Sequence, residues 1–156
     1  MYVSTRCNFK DFSIVWISVT NHQELVPLGN YPKLTKELIK ELNLEKGIEM
    51  SMSVFLLEAE NKKALFDAGY FENNMGVPQR LQEFKISPDE IDYILITHSH
   101  WDHIEGLIQN GEIVYKNAKI YISKEEYNGK LKKIKPDKIG LYEEFFSLLF
   151  LVKLFK

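Results

Sequence analysis

Short apolar segments along the chain predict a series of strands. Residues 12–19 are rich in β-branched and aromatic side chains and lie between polar residues, which favours a strand over the apolar part of a signal peptide. Residues 51–58 and 63–67 predict a hairpin, because the polar turn 60–62 separates them. Residues 92–97 form a nearly continuous apolar run, typical of a strand buried on both faces. Two further strands are predicted at 112–115 and 119–122.

Helical patterns alternate with these strands. Residues 33–44 carry leucine and isoleucine at helical spacing between lysines and glutamates, and Gly47 provides a stop. Ser87 is followed by a proline and, three residues on, by Glu90, which is the pattern of a capped helix start. The other predicted helices span 78–84 and 104–109, and one more begins at Ser123. Strands and helices in alternation predict the α/β fold class.

Composition narrows the class of protein further. The chain has 156 residues, 45% of them hydrophobic and 13% aromatic, which suits one small globular domain. Its 20 basic and 22 acidic residues give a net charge of −2, so no nucleic-acid partner is expected. The single cysteine, Cys7, excludes an internal disulfide. No apolar run reaches the roughly 18–20 residues that a membrane span needs. We therefore expect a cytoplasmic protein without a membrane span.

The candidate chemistry lies in the loop after the apolar run 92–97. Three of the four histidines, His98, His100 and His103, fall here beside Asp102, whereas His22 is read as an ordinary loop residue. Imidazole and carboxylate together suit a divalent transition metal. In an extended segment, His98 and His100 project to one side and Asp102 continues the alternation. A turn at His103 would direct its ring to a neighbouring position, so one loop could supply two ligands to each of two metals.

The segment 97–106 resembles the His-x-His-x-Asp-His signature of the metallo-β-lactamase superfamily. The hairpin that ends at Asp67 and Gly69 is similar to the family's leading hairpin, and residues 117–127 are similar to its lactonase and organophosphate-hydrolase branch. Glu105 departs from the signature at a position where the family often has glycine. The resemblance implies the N-terminal αβ half of a metallo-β-lactamase-like αβ/βα sandwich.

The resemblance also implies roles for individual residues. His98 and His100 would bind the first metal, and Asp102 and His103 the second, with Asp102 also positioning the attacking water. Asp67 would orient a neighbouring group rather than bind metal, although a plain turn residue at the hairpin end is an equal alternative. The implied cofactor is zinc in a two-metal site, and manganese, iron and cobalt also suit this ligand set.

The family's remaining ligands have no counterpart in the second half of this chain. No histidine follows His103, and the only later aspartate, Asp137, lies in a polar turn. We therefore expect a truncated member. Residues 1–50 would lead into a half-domain at 51–138, followed by an apolar tail at 139–156. That tail could pack on the exposed sheet, pair with another chain, or be out-of-frame sequence, and the abrupt change after Glu144 favours the last.

The implied activity is hydrolysis of an ester, lactone or phosphotriester, a small-molecule substrate, by a metal-bound hydroxide. The alternative is a truncated, inactive remnant or an interaction module, because two ligands per metal are fewer than the three or more that zinc sites have. Self-association through the apolar tail is the expected protein contact in that case.

Overall fold

The computed structural model describes residues 4–20, 24–124, 126–127 and 139–142. His22, Asp137 with the rest of residues 128–138, and the tail beyond 142 lie outside the described residues. The strands are β1 (Thr5–Asn8), β2 (Phe12–Ser18), β3 (Glu24–Val26), β4 (Ile48–Met50), β5 (Ser53–Ala59), β6 (Lys62–Phe66), β7 (Tyr93–Leu95), β8 (Ile108–Gln109), β9 (Glu112–Ile113), β10 (Lys119–Ser123) and β11 (Ile139–Tyr142). The helices are α1 (Lys36–Glu41), α2 (Val77–Glu83) and α3 (Trp101–Ile104), with 3₁₀ turns at Leu28–Asn30, Pro88–Glu90 and Glu105–Leu107.

One mixed sheet organises the structure, with strand order β1-β2-β5-β6-β7-β10-β11. Strands β1, β2, β5 and β6 pair antiparallel, whereas β6, β7, β10 and β11 run parallel. The short strands β3 and β4 form a separate pair, as do β8 and β9. Parallel strands joined through helical segments confirm the predicted α/β class. The parallel arrangement also brings the carboxyl ends of β6, β7 and β10 to one edge, where such sheets carry their sites.

The two faces of this sheet differ in burial. One face carries the main core and packs against α2; its fully buried side chains include Val15, Ile17, Leu56, Leu65, Ile94, Ile120 and Ile122. On the opposite face, Trp16 stands beside Phe55 and both are partly exposed, at 36% and 48%. The antiparallel end of the sheet is therefore covered on one side only within the described residues. No helix in the part of the chain that the structure describes is long and apolar enough to cross a membrane.

Two predicted helices have different bounds in the structure. The helix predicted at 33–44 covers only Lys36–Glu41, because the Thr35 hydroxyl caps its start and Asn43 takes a positive φ of 55° just after its end, four residues before Gly47. The helix predicted at 104–109 begins earlier, at Trp101, and gives way to β8. The reason is the Asn110-Gly111 pair, whose φ angles of 52° and 81° form the two-residue turn of a β8–β9 hairpin.

Asp92 ties the start of β7 to β6. Its carboxylate accepts from the Lys62 ammonium at 2.6 Å and from the Lys63 backbone N–H at 2.9 Å. Partial burial pushes the pKa of Asp92 upward, but these hydrogen bonds outweigh that effect and hold it below its usual value. The ionised carboxylate therefore stabilises the fold above the unfolded-state pKa of about 4, and that contribution disappears as the pH falls through the folded-state pKa.

We expect Asp92→Asn to lower the free energy of unfolding by about 1 kcal/mol at pH 7, because one charged acceptor becomes a neutral one. Urea unfolding at several pH values measures this. The difference from the wild type should begin to shrink as the pH falls below about 4 and should vanish once Asp92 is protonated in the folded protein as well. Glu60→Gln, in the exposed β5–β6 turn, is the matched control. A difference that stayed constant from pH 7 to pH 3 would contradict the assignment.

Candidate metal centre

The loop that follows β7 brings three histidine rings together. His98 and His100 form one close pair, with their ring centroids 4.5 Å apart, and the His98 and His103 centroids are 3.9 Å apart. His98 and His100 precede α3 in the loop, whereas His103 lies within it. The loop starts at the carboxyl end of a buried parallel strand, as the apolar run in the sequence predicts.

The ring nitrogens of His98 and His100 face each other. His98 Nε2 lies 3.1 Å from His100 Nδ1. The other nitrogen of His98, Nδ1, lies 3.0 Å from the Thr97 hydroxyl oxygen. That hydroxyl donates its proton to Asp67, so it accepts from His98 Nδ1–H, and His98 Nε2 keeps its lone pair. Two nitrogens facing at this distance require a proton or a cation between them.

His98 and His100 form one donor pair, meaning two atoms that could bind the same metal ion, and Asp102 and His103 form a second. Asp102 Oδ2 lies 3.4 Å from His103 Nε2. Both residues are helical, because α3 begins at Trp101, so the extended alternation expected to reach Asp102 stops at His100. The helix turn, rather than an extended loop, therefore sets the direction of Asp102 and His103.

Asp67 organises both pairs from the end of β6. This carboxylate, 7% exposed, accepts from the Thr97 backbone N–H at 2.7 Å, from the Thr97 hydroxyl at 2.8 Å and from His103 Nδ1 at 2.8 Å. Because His103 Nδ1 carries the donated proton, His103 Nε2 is left with its lone pair toward Asp102. Asp67 takes a positive φ of 63°, a conformation that aspartate tolerates better than most residues. Its side chain thus contacts the site's hydrogen-bonding groups and not the free ring nitrogens.

The donor atoms suit a metal in part. Two nitrogen or oxygen ligands of a tetrahedral zinc, each about 2.0–2.1 Å from the ion, lie about 3.3 Å apart. The separations of 3.1 Å in the His98–His100 pair and 3.4 Å in the Asp102–His103 pair match this spacing. In the part of the chain that the structure describes, no three His, Cys, Asp or Glu side chains are placed to hold one ion together. Each pair therefore offers two adjacent ligand positions and leaves the rest open.

Glu126 is a site residue that no motif in the sequence marks. Both the hydroxyl and the backbone N–H of Ser99 donate to Glu126 Oε2. These donors hold the pKa of Glu126 below its usual value. The position of Glu126 after β10 is the signal that could have found it, because β10 ends beside β7. Ser123 caps the helical turn there by accepting from the Glu126 N–H.

Glu105, the departure from the signature, starts the 3₁₀ turn Glu105–Leu107 in an ordinary right-handed helical conformation, with φ −60° and ψ −36°. Its side chain is exposed. Glycine is therefore not required at this position, whereas Gly106 packs directly over the Ala68 carbonyl.

An apolar cavity of about 590 Å³ adjoins the centre on the open face of the sheet. Asp67, Thr97 and His103 line it at the end nearest the donor pairs. The rest of its wall comes from side chains of β2, β5 and β6, namely Ile14, Ser53, Phe55, Leu57 and Phe66. The centre therefore borders an uncovered apolar surface.

Comparison with known proteins gives both sequence and fold relatives. The profile of the metallo-beta-lactamase superfamily matches residues 49–137. The exodeoxyribonuclease WalJ of Streptococcus pneumoniae is 37% identical over 83 residues, which are 49% of this chain and 30% of that protein. The dizinc quorum-quenching lactonase AidC superposes with a TM-score of 0.74 at 20% identity, over 94% of this chain and 63% of AidC. The hydrolase AbOPH gives 0.71 at 24% identity, over 88% of this chain and 50% of AbOPH.

These matches differ in what they support. At 20% and 24% identity, the likeness to the two solved structures concerns the fold, and it confirms the half of the αβ/βα sandwich that the sequence predicts. The chain spans about half to two thirds of those structures and less than a third of the exodeoxyribonuclease.

Proposed function

Because the chain belongs to the metallo-beta-lactamase superfamily, we propose that it is a metal-dependent hydrolase whose loop residues His98, His100, Asp102 and His103 hold the metal. The observation that carries this proposal is the facing of His98 Nε2 and His100 Nδ1 at 3.1 Å, at the carboxyl end of a buried parallel strand. Without metal this separation is a hydrogen bond with the proton on His100 Nδ1, and a divalent cation that displaced this proton would bind both nitrogens. The second donor pair, from Asp102 and His103, provides a neighbouring position.

The surrounding residues keep the donor atoms available. Asp67 holds the proton on His103 Nδ1, and the Thr97 hydroxyl holds the proton on His98 Nδ1. Both Nε2 atoms are thereby kept as acceptors. When bound, a divalent metal lowers the pKa of a coordinated water and polarises the bond to be cleaved. Asp102, whose Oδ2 lies on the His103 Nε2 side, orients the attacking water.

The proposed substrate is an ester, a lactone or a phosphotriester. The likeness in fold to a lactonase and to AbOPH supports this class. A phosphodiester is the second candidate, because the sequence relative at 37% identity is an exodeoxyribonuclease. The near balance of 20 basic and 22 acidic residues does not favour a nucleic-acid substrate, so a small molecule is proposed first.

An inactive interaction module remains the alternative. Two donors per position are fewer than zinc sites have, and the open sheet face carries exposed aromatic side chains around an apolar cavity. A second copy of this chain covering that face would bury these side chains. This alternative predicts a chain that binds no metal and hydrolyses nothing.

Hydrolysis measured with and without added zinc distinguishes the two. The substrates are a generic lactone, a phosphotriester and a phosphodiester, tested on the full chain. We expect metal-dependent turnover that a chelator removes and that His98→Ala and Asp102→Ala each lower by about 100-fold or more. Glu112→Gln, in β9 and away from the donor atoms, should retain turnover. An inert wild-type chain, with or without metal, would favour the interaction module.

A further inference from the structure

The Ser99–Glu126 contact lies at the centre of the proposed ligand loop. Ser99 stands between His98 and His100 and is 5% exposed. Its hydroxyl and its backbone N–H both donate to Glu126 Oε2, the latter at 2.8 Å. We propose that Glu126 is a positioning residue, which sets the spacing of the His98–His100 donor pair by holding Ser99. This inference rests on the proposed metal-binding function of those two histidines.

The geometry of the loop explains why one carboxylate can do this. Two donors from the same residue fix both the backbone plane and the side chain of Ser99 on a single oxygen atom. His98 and His100 flank that fixed point, so rotation of the loop about Ser99 would separate their ring nitrogens. The contact spans 27 positions in sequence and is made across neighbouring parallel strands, β7 and β10. The anchor therefore belongs to the helical turn after β10 and not to the loop that it holds.

Glu126 and Asp67 act on different parts of the centre. Asp67, at the end of β6, contacts Thr97 and His103. Glu126, after β10, contacts Ser99, on the other side of β7 in the sheet order. Carboxylates that follow the strands on either side of β7 thus hold the loop from two directions. Their negative charges also lie near the imidazoles, which favours a cation there.

A plain anchoring role would give a different outcome from a positioning role. If Glu126 only stabilised the helical turn after β10, its replacement would change stability and leave the ring nitrogens of His98 and His100 unaltered. The test therefore measures the donor pair itself. The matched control is Glu58, whose carboxylate accepts from the Ser13 hydroxyl at 2.8 Å elsewhere in the same sheet.

The first arm measures zinc affinity of the full chain by competition with a chromophoric chelator, together with the absorption spectrum of bound cobalt. Glu126→Ala should weaken zinc binding about 10- to 100-fold and change the cobalt spectrum. Glu126→Gln should lose less, because its amide oxygen still accepts from Ser99. Glu58→Ala should match the wild type. An unchanged affinity and spectrum in a folded Glu126→Ala variant would overturn the proposal.

The second arm uses the metal-free chain, so that it does not depend on the proposed function. Nitrogen-15 chemical shifts of the imidazoles report the tautomer of His98 and His100. The wild type should show one fixed tautomer for each ring, and Glu126→Ala should show averaged shifts. Should Glu126→Ala fail to fold, Ser99→Ala, which removes only the hydroxyl donor, takes its place. Unaltered ring shifts would overturn the positioning role, whereas a wild type that binds no zinc would overturn only the proposed function.

Discussion

Replacing Gly106 with alanine is expected to destabilise the protein by about 3 kcal/mol or more and to disrupt the metal centre with it. A Cβ atom at this position would lie 2.0 Å from the Ala68 carbonyl oxygen and 2.9 Å from its carbonyl carbon. Both atoms belong to the backbone, so no side-chain rotation relieves the clash. The 3₁₀ turn Glu105–Leu107 must therefore move away from the end of β6.

This movement affects the metal-binding atoms because two hydrogen bonds join the segment 103–106 to residues 68 and 69. The Gly106 N–H donates to the Gly69 carbonyl at 2.9 Å, and the Ala68 N–H donates to the His103 carbonyl at 2.8 Å. Displacing Gly106 strains the position of His103. Urea unfolding and zinc affinity should fall together in Gly106→Ala.

Gly29→Ala is the matched control, since a Cβ there meets nothing within 4 Å. Its free energy of unfolding should stay within about 0.5 kcal/mol of the wild type. A Gly106→Ala protein with wild-type stability would contradict the close contact between this turn and the Ala68 carbonyl.

The second large effect is expected at Asp67. Asp67→Asn keeps a residue type that tolerates the φ of 63°, so the change tests the carboxylate and not the backbone. The amide oxygen of asparagine can still accept a hydrogen bond. Its NH₂ group, however, would face the N–H or O–H of Thr97 or the Nδ1–H of His103, all of them donors, in a buried position. We expect a loss of about 2 kcal/mol in unfolding free energy, because a buried donor is left unpaired.

Zinc affinity should also fall in Asp67→Asn, by about 10- to 100-fold, because His103 loses the partner that fixes its tautomer. Calorimetric titration with zinc and urea unfolding measure the two effects separately. Asp11→Asn, on the exposed turn between β1 and β2, should change neither quantity. Loss of stability without any loss of zinc affinity would assign Asp67 the role of a turn residue, the alternative that the sequence left open.

Local patterns in the sequence were sufficient for the elements whose structure is determined locally. The apolar run before Thr97 predicts β7, and the Ser87–Glu90 pattern predicts a capped start, which the structure has as the 3₁₀ turn Pro88–Glu90. The polar turn after Ala59 predicts the β5–β6 hairpin, where Glu60 and Asn61 take positive φ angles of 48° and 61°. In each case neighbouring residues carry both the signal and the interactions.

The start of α3 was not predictable in the same way. Periodicity places a helix from Ile104 onward, but the structure begins it at Trp101, with His100 at the N-cap position and no side-chain cap. Contacts with the residues just after β6 decide this, since the Ala68 N–H donates to the His103 carbonyl and the Gly106 N–H donates to the Gly69 carbonyl. These contacts join residues more than 30 positions apart, which no local window contains.

The site also contains residues that local sequence predicts and residues that depend on long-range contacts. The three histidines and Asp102 are adjacent in sequence, so their clustering follows from the loop alone. The Ser99–Glu126 contact depends on β10 lying parallel beside β7. Sheet order is a property of the whole chain, and for that reason no local pattern marks Glu126 as a site residue. The Asp67 contacts could be anticipated only through the family resemblance, because β6 is brought to β7 by the same parallel pairing.

The central claim is that the loop after β7 binds a divalent metal through His98, His100, Asp102 and His103. Zinc titration of the metal-free full chain, with the bound metal quantified by mass spectrometry after gel filtration, tests it most directly. We expect chelator-reversible zinc binding that weakens at least about 10-fold in His98→Ala and is unchanged in Glu112→Gln. A wild-type chain that retains no zinc, or a His98→Ala chain that binds it equally well, would contradict the claim.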